Sequence, residues 1–306
     1  LLGGALVATA GARWALVVDA ATFVLIALAA LCVSQVPARA SVIGAGQRER
    51  GALTAGLRVV AADPVIRGFI VVVATVVIAL GALNVAEVFL VFAKTDPEKG
   101  AKGITCFLVE RGDGVKTSPL KGKLGLRAAD TGMVFLDGVR VPKDRVLGKE
   151  GEGFRIALST LDTGRISLAA GAVGLMQRAL DLSLAYTRER KQFGKPIAQF
   201  QLVQEHLAAM KLDLEAARLL TYRAAWKKVK GEPYTLEASL AKLFASEAAN
   251  RVAYRAIQVH GGYGFFEEYE VARLYRDARI LTLYEGTSEV QKLIIGAHLT
   301  GVRAFA

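Results

Sequence analysis

The stretch NVAEVFLVFAKTDPEKG, from Asn84 to Gly100, joins two parts of the chain that differ in character. Its first half completes a long apolar run, and about 20 such residues in a helix span a bilayer. From Glu87 onward, the run VFLVF precedes the polar segment TDPEKG, which is typical of a β-strand followed by a turn. The stretch therefore predicts either the end of a membrane helix or the start of a β domain.

The chain before this stretch is strongly apolar. Residues 1–93 contain no lysine, six arginines and four acidic residues. Two apolar runs, 14–33 and 68–86, are long enough to be transmembrane helices, and a pair of buried core helices is the alternative. The segment between them carries five arginines and two acidic residues, so the positive-inside rule assigns it to the cytoplasm.

The same region resembles part of a transporter. GARWALVVDAATF, the basic segment and LRVVAADPVIRG are similar to the middle of a major facilitator superfamily protein. The resemblance implies a membrane segment over residues 1–87 with two transmembrane helices. Two such helices do not build a transport site, because that site forms between two complete halves. A transporter fragment is therefore one hypothesis for the chain.

Short segments rich in Val, Ile and Phe follow, separated by turn residues. VFLVF, ITCFLVE and MVFLDGVRV are typical of strands, whereas TDPEKGAKG, RGDG and LGLRAADTG are typical of turns. Three or four strands are too few for a complete sandwich or barrel. We therefore predict a partial β domain over residues 88–152.

Helical periodicity dominates residues 153–306. Apolar side chains recur on one face, for example at Leu240, Leu243 and Phe244. Long helices with short connections favour an antiparallel bundle. The sequence thus predicts an α+β fold that is mainly α: two hydrophobic helices, a partial β domain and an antiparallel four-helix bundle.

The charged residues indicate what kind of partner to expect. The formal net charge is +11, but Lys and Arg are interleaved with Asp and Glu along helical segments. Without an arginine-rich arm or an aromatic stacking module, a nucleic-acid partner is not expected. Cys32, Cys106 and three histidines lack the spacing of a disulfide framework or a metal site, so no metal is expected.

Four motifs in the second part of the chain carry a more specific resemblance. LGLRAADTGMVFLDGVRVP, RERKQFGKPIAQFQ, QVHGGYGF and LYEGTSEVQKLII occur in the order seen in acyl-CoA dehydrogenases. The similarity runs from about Val88 to Ala306 and implies the later part of the family's middle β domain plus its C-terminal four-helix bundle. It also implies FAD as cofactor, acyl-CoA as substrate, electron-transferring flavoprotein as acceptor, and a homo-oligomer, either dimer or tetramer.

The motif LYEGTSE resembles the family's catalytic segment. Glu285 matches the base that removes the proton α to the thioester while the flavin takes a hydride from the β carbon. A carboxylate suits this role when enclosure raises its pKa. Gly286 resembles the glycine that approaches the acyl group, and Thr287, Ser288 and Glu289 resemble residues beside the flavin.

Some of these positions also have a simpler structural explanation. Ser288 followed by Gln291 fits a capping box. Other family members place the base third in a D-x-E-R pattern, where this chain has Gly164, and this difference favours Glu285. Asp162 and Arg165 of the same pattern resemble substrate-pocket residues, with a helical i,i+3 ion pair as the alternative.

Two further segments resemble the FAD-binding positions of a neighbouring subunit. Arginine suits a pyrophosphate because its planar fork makes two charged hydrogen bonds, although a solvated helix-end charge is the alternative for Arg190. Two glycines after a helix are also an ordinary C-terminal cap, and His260 is expected to be structural. The candidate FAD contacts are Arg190, Phe193, Gln201, Gln258, Val259, His260, Gly261 and Gly262.

The two resemblances disagree about location. The enzyme part implies the cytoplasm, whereas a second span from Gly68 would carry Lys94 and everything after it across the membrane. The family's remaining flavin-side motifs and N-terminal helical domain have no counterpart before Val88. We therefore expect weak flavin binding and no turnover by the expressed chain, and a gene chimera with neither activity is the third hypothesis.

Overall fold

The structure, a computed structural model, describes residues 86–112 and 114–304. The predicted transmembrane runs lie outside these residues, apart from Ala86, and so do Cys32 and all but the last two residues of the transporter-like segment. Within the described part, no helix has both the length and the apolar character needed to cross a membrane.

The junction stretch forms a strand and a turn where it is described. Strand β1, Val88–Lys94, pairs antiparallel with β2, Ile104–Glu110. Between them Pro97–Gly103 is a 3-10 helix, capped by the Asp96 side chain, which accepts a hydrogen bond from the Glu98 N–H at 3.2 Å. The prediction of a strand followed by a turn is therefore confirmed for these residues.

The other strands of this region are short. Strand β5, Val146–Leu147, extends the first sheet to the order β1-β2-β5. Strands β3, Val115–Pro119, and β4, Gly132–Leu136, form a separate antiparallel pair. The predicted strand MVFLDGVRV thus ends at Leu136, and β3 is an element that its mixed sequence VKTSP did not predict. A small core is formed by Ala86, Phe89, Val109 and Val115.

The described chain divides into two compact units. We call residues 86–121 and 129–156 the strand unit, and residues 122–128 and 157–304 the helical unit. Helix α1, Gly153–Glu189, begins in the first and continues in the second. The domain boundaries expected after residues 87 and 152 remain predictions.

The helical unit contains long helices connected by short segments. Helices α2, Gln201–Val229, and α3, Thr235–His260, run antiparallel, because Lys227 near the end of α2 pairs with Glu237 at 2.7 Å, while Asp213 pairs with Arg251 at 2.7 Å. The mainly α, α+β class is therefore confirmed. After α1, the helices are α2, Gln201–Val229; α3, Thr235–His260; α4, Glu270–Ala278; and α5, Ser288–Thr300. Single 3-10 turns occur at Lys143–Arg145, Ile197–Gln199, Gly261–Phe265 and Arg279–Thr282.

A tight hairpin connects α1 to α2. Strands β6, Lys191–Gln192, and β7, Lys195–Pro196, enclose a two-residue turn. Phe193 and Gly194 in that turn have φ of 51° and 79°. Two positive φ angles are what a type I′ turn requires, because its twist matches that of the paired strands.

Alanine side chains form the buried face of α3. Because alanine side chains are small, neighbouring helices can pack closely against this face. Larger side chains lie at the edges of the helix–helix interface. Leu240, Leu243 and Phe244, which the sequence predicts to share one face, are only partly buried, and Phe244 packs against the core. The fully buried alanines are Ala238, Ala241, Ala245, Ala248, Ala249, Ala253 and Ala256.

The segment 122–128 packs against the end of α4. Asp277 Oδ1 accepts a hydrogen bond from the Leu126 N–H at 2.6 Å. A Cβ on Gly125 would lie 2.4 Å from the Arg276 carbonyl oxygen, so only glycine fits at this position. The first part of the predicted turn, LGLRA, thus belongs to the helical unit through a contact between residues far apart in the sequence.

Candidate active site

Glu285 lies on the turn that precedes α5. Glu285 and Gly286 have φ of 57° and 85°, both in the left-handed region. For a residue with a side chain this conformation costs about 1–2 kcal/mol, so surrounding contacts must hold it. A Cβ on Gly286 would also lie 2.8 Å from Gln291 Nε2. Glycine is therefore favoured at 286 by its backbone conformation, and a larger residue would also have to displace the Gln291 amide.

The Glu285 carboxylate lies against the backbone of α1 at Gly164. A Cβ on Gly164 would be 2.5 Å from Glu285 Oε2 and 2.6 Å from Oε1. Those separations are too short for any real side chain, because atoms at such distances overlap strongly. Because Gly164 has no side chain, α1 leaves room at this position for the Glu285 carboxylate.

Burial sets the electrostatics of this carboxylate. Burial raises the pKa of Glu285, while the positive charges of Arg165 and Lys242 act in the opposite direction and do not cancel the rise. Its Oε2 is buried and has no hydrogen-bond partner among the described residues. A carboxylate with an unpaired oxygen and a raised pKa is suited to accept a proton.

Three side chains bind the backbone carbonyls of the Glu285 turn, and we call them the carbonyl clamp. Lys242 Nζ on α3 lies 2.7 Å from the Gly286 carbonyl oxygen. Gln291 Nε2 on α5 donates to the carbonyls of Glu285 and Gly286, each at 3.1 Å. Arg165 Nε on α1 donates to the Glu285 carbonyl at 3.3 Å. The turn is therefore fixed from three helices.

The sequence did not predict Lys242 as a site residue. A signal for it is nevertheless present, because Lys242 is a charged residue that interrupts the alanine face of α3, and it is fully buried. A buried lysine is costly unless a polar group receives its proton donors, so a lysine within an apolar stripe predicts a specific internal partner. Burial lowers the pKa of Lys242 to about 8.

Asp162 and Arg165 form the predicted helical ion pair. Asp162 Oδ1 accepts from Arg165 Nη1 at 2.8 Å, and Arg165 is only 4% exposed. The second Asp162 oxygen accepts from the Thr235 hydroxyl at 2.6 Å. Both acid oxygens are therefore occupied within the protein, and the pair orients Arg165 towards the Glu285 turn.

The N-terminus of α5 is capped by Thr287 and not by Ser288. The Thr287 side chain accepts from the Val290 N–H at 3.4 Å. Ser288 is already helical, and its hydroxyl donates to Glu247 Oε1 at 2.6 Å. The predicted capping box at Ser288 is thus wrong by one residue, because two adjacent hydroxyl residues are equally able to cap. Glu289 is at the first turn of the helix.

Most of the candidate FAD contacts meet at an open groove of about 480 Å³. The Arg190 guanidinium lies over the Tyr263 ring, 5.3 Å from its centroid. A Cβ on Gly261 or Gly262 would meet no described atom within 4 Å, so the backbone is accessible from the groove. Among the candidates, the groove is lined by Arg190, Gln258, Val259, His260, Gly261 and Gly262.

His260 contributes an aromatic wall to this groove. Its Nδ1 is 2.8 Å from the Ala256 carbonyl oxygen, and its ring stacks on Tyr186 with 4.3 Å between centroids. Burial lowers the pKa of His260. These contacts are those of a packed side chain, and the structural role expected for His260 stays a prediction.

Phe193 and Gln201 do not line the groove. Phe193 occupies the hairpin turn, is 91% exposed and makes an edge contact with Phe200 at 6.1 Å. Gln201 is exposed at the first residue of α2. Within this single chain the structure therefore does not bring these two candidates together with Arg190.

Comparisons with known proteins agree with this geometry. Residues 151–300 match the family described as acyl-CoA dehydrogenase, C-terminal domain. The later 70% of the chain is homologous to acyl-CoA dehydrogenases, and the family's C-terminal domain accounts for most of that region.

Particular relatives make the similarity more specific. The chain is 46% identical to the short-chain specific acyl-CoA dehydrogenase of Megasphaera elsdenii, over 70% of this chain and 56% of the relative. The structure of butyryl-CoA dehydrogenase from the same organism has a TM-score of 0.69 at 46% identity, over 70% of this chain and 56% of that one. A structure of PigA with FAD and proline has a TM-score of 0.69 at 33% identity, over 71% and 57%.

The chain spans just over half the length of the relatives that it matches. The family resemblance of the helical unit is therefore established, whereas the activity, substrates and partners of this chain are matters of proposal.

Proposed function

We propose that this chain carries the catalytic base and part of the flavin site for α,β-dehydrogenation of an acyl-CoA thioester. The observation that supports it most directly is the Glu285 carboxylate, which lies against Gly164 with a buried, unpaired Oε2. An unpaired carboxylate oxygen is costly to bury, and a ligand that hydrogen-bonds to it would complete the site.

Glu285 takes the proton α to the thioester carbonyl. Its pKa is raised by burial, so the carboxylate is a stronger base than an exposed glutamate. Oε2 is the oxygen free to accept the proton, and the carbonyl clamp fixes the backbone that carries the carboxylate. Arg165 contributes by donating a hydrogen bond to the Glu285 carbonyl. This role differs from the direct substrate contact that the resemblance implies.

FAD is the proposed cofactor, and when bound it supplies the acceptor for the hydride that leaves the β carbon. The groove at the end of α3 has the chemistry that its diphosphate needs. Arg190 offers a charged planar fork, and Gly261 and Gly262 leave the backbone open to close approach. The similarity to a structure that contains FAD supports the same cofactor.

The remaining family properties are part of the proposal. A short-chain acyl-CoA is the substrate to test first, because relatives at 46% identity are named for short-chain substrates and butyryl-CoA. Electron-transferring flavoprotein as acceptor, a dimer or tetramer, and a cytoplasmic location follow from the resemblance. For Thr287, Ser288 and Glu289 we propose a place beside the flavin, at the start of α5.

The test is reduction of bound flavin by substrate. The full chain is loaded with FAD and mixed anaerobically with butyryl-CoA, and loss of the flavin absorbance is followed. Glu285→Gln is expected to slow the reduction by about 10²–10⁴-fold, as for loss of a general base. Glu205→Gln is the matched control, because Glu205 is exposed and belongs neither to the carbonyl clamp nor to the groove of the candidate FAD contacts.

Reduction that is fast in the wild type and the control but slow in Glu285→Gln supports the proposal. Equal rates in Glu285→Gln and the wild type contradict it. FAD that binds to the wild type and stays oxidised also contradicts the dehydrogenase activity, and would instead agree with the loss of turnover expected from the sequence.

A further inference from the structure

Lys242 is a buried cation whose partner is not a carboxylate. It is fully buried on the alanine face of α3, and its Nζ donates to the Gly286 carbonyl at 2.7 Å. Burying an ammonium group costs several kcal/mol in effective terms, which its hydrogen bonds must largely offset. A lysine retained at this depth is therefore expected to hold a specific element in place.

The element that it contacts needs to be held. Glu285 adopts a left-handed φ of 57°, followed by Gly286 at 85°. In this conformation the two carbonyl oxygens point into the protein, where the carbonyl clamp receives them. Without donors at those oxygens, the turn would lose the contacts that offset its backbone strain.

The three donors of the clamp are not equivalent. Gln291 belongs to α5, the helix that directly follows the turn, so it moves together with the element it binds. Arg165 is shared with Asp162, at 2.8 Å, and reaches the turn at 3.3 Å. Lys242 makes the shortest contact, carries a charge, and comes from the helix at the centre of the alanine core.

We propose that Lys242 is a positioning residue, which anchors the Gly286 carbonyl to α3 and thereby holds the Glu285 carboxylate against Gly164. The inference rests on the proposed function for its catalytic meaning, because the carboxylate that is positioned is the proposed base. The anchoring itself concerns only the folded chain, so it is testable without substrate or flavin.

The experiment is hydrogen exchange of the full chain, followed by mass spectrometry of peptides that cover residues 283–291. Lys242→Met keeps much of the side-chain volume and removes the donor. We expect amide exchange in these residues to be at least about tenfold faster than in the wild type, which corresponds to loss of a charge-assisted hydrogen bond.

Lys228→Met is the matched control. Lys228 is a partly buried lysine whose ammonium group donates to the Thr163 hydroxyl at 3.0 Å instead of to a carbonyl of the turn. Its replacement is expected to leave exchange at residues 283–291 unchanged. A local effect in Lys242→Met that the control lacks would be evidence for positioning, as distinct from a general loss of stability.

Several results would overturn the proposal. One is unchanged exchange at residues 283–291 in a folded Lys242→Met protein, and another is a uniform rise across all peptides of the helical unit. If Lys242→Met does not fold, Lys242→Gln is the second variant, since its amide is too short to replace the contact. Normal protection of the turn in that variant would refute the anchoring as well.

These outcomes are separable from failure of the proposed function. Slow flavin reduction by Glu285→Gln reports on the base, whereas exchange in the ligand-free chain reports on the turn. A Lys242 effect on exchange combined with an inactive wild type would leave Lys242 as the anchor of the turn and refute only the dehydrogenase activity.

Discussion

The Glu285 carboxylate occupies the space that a side chain on Gly164 would need. The two residues are far apart in sequence, yet a Cβ on Gly164 would lie 2.5 Å from Oε2. The resemblance to acyl-CoA dehydrogenases offered two sequence positions for a base, at 164 and at 285. The geometry explains why only one of them can carry the acid, since both would fill the same volume.

Gly164→Ala is expected to displace the carboxylate and destabilise the protein. The atoms that a Cβ would meet are the carboxyl group at the end of the Glu285 side chain, so the cost should lie at or below the low end of the ~1–3 kcal/mol typical of overpacking. Gly171→Ala is the control on the same helix, because a Cβ there meets no described atom within 4 Å. There the change should be neutral or stabilising by up to about 1 kcal/mol, as alanine is the better helix former. Urea unfolding of both variants measures the difference, and equal stability would argue against the contact.

Glu285→Gln should change how stability depends on pH. Because burial raises the folded-state pKa above the ordinary 4.5, the folded wild type binds more protons than the unfolded chain in the window above pH 4.5. The free energy of unfolding of the wild type should therefore decrease, relative to that of the glutamine variant, as the pH rises from 4.5 through the folded-state pKa. The free energy of unfolding of both proteins, measured across that window, tests this. A pH-independent difference would show that the carboxylate is not desolvated.

Lys242→Met should affect a different pH window. The folded-state pKa of Lys242 is lowered to about 8 from 10.5, so between these values the unfolded chain binds more protons. Wild-type stability should rise relative to the methionine variant across that window, by up to about 3 kcal/mol. Denaturant unfolding at several alkaline pH values measures the slope. A flat difference would mean that Lys242 keeps its ordinary pKa.

Arg190→Gln should weaken the binding of FAD. Loss of a charged hydrogen bond to a phosphate costs about 1.5–3 kcal/mol, or at least about tenfold in Kd. Arg188→Gln removes the same charge from an exposed position two residues earlier, and it controls for net charge. Fluorescence titration of FAD with the full chain measures both. Equal weakening by the two variants would assign the effect to the overall field instead of the groove.

The features that could be predicted from the sequence are those encoded in local patterns. The strand β1, the long helices and the Asp162–Arg165 pair each depend on residues close in sequence, with a period or spacing that identifies them. The cap at Thr287 was missed by one position, because Thr287 and Ser288 have the same capping chemistry. Local sequence patterns thus predicted strands and helices more reliably than the residue that caps a helix.

The rest depends on contacts between distant segments. Lys242 was not predicted, since its partner is a backbone carbonyl 44 residues away and no side-chain motif marks that pairing. The contact between Glu285 and Gly164 was not predicted either. From the sequence, Glu285 was considered as the base and Gly164 as the alternative position of a base, but the two were not placed together. Phe193 was assigned to the FAD site by resemblance, and the neighbouring sequence did not predict that its side chain is exposed in a hairpin turn.

The alanine face of α3 makes the helical unit unusual in which substitutions it should tolerate. A core filled by large side chains is damaged by truncation, because truncation leaves cavities. Here the central helix has little side chain to lose, and Ala241, Ala245 and Ala249 are completely enclosed. The vulnerable direction of mutation is enlargement: a single added methyl or hydroxyl group would push neighbouring backbones apart and shift every residue that α3 carries. Sequence drift along this face should therefore be confined to alanine and glycine, even where the chemistry of the site is far away.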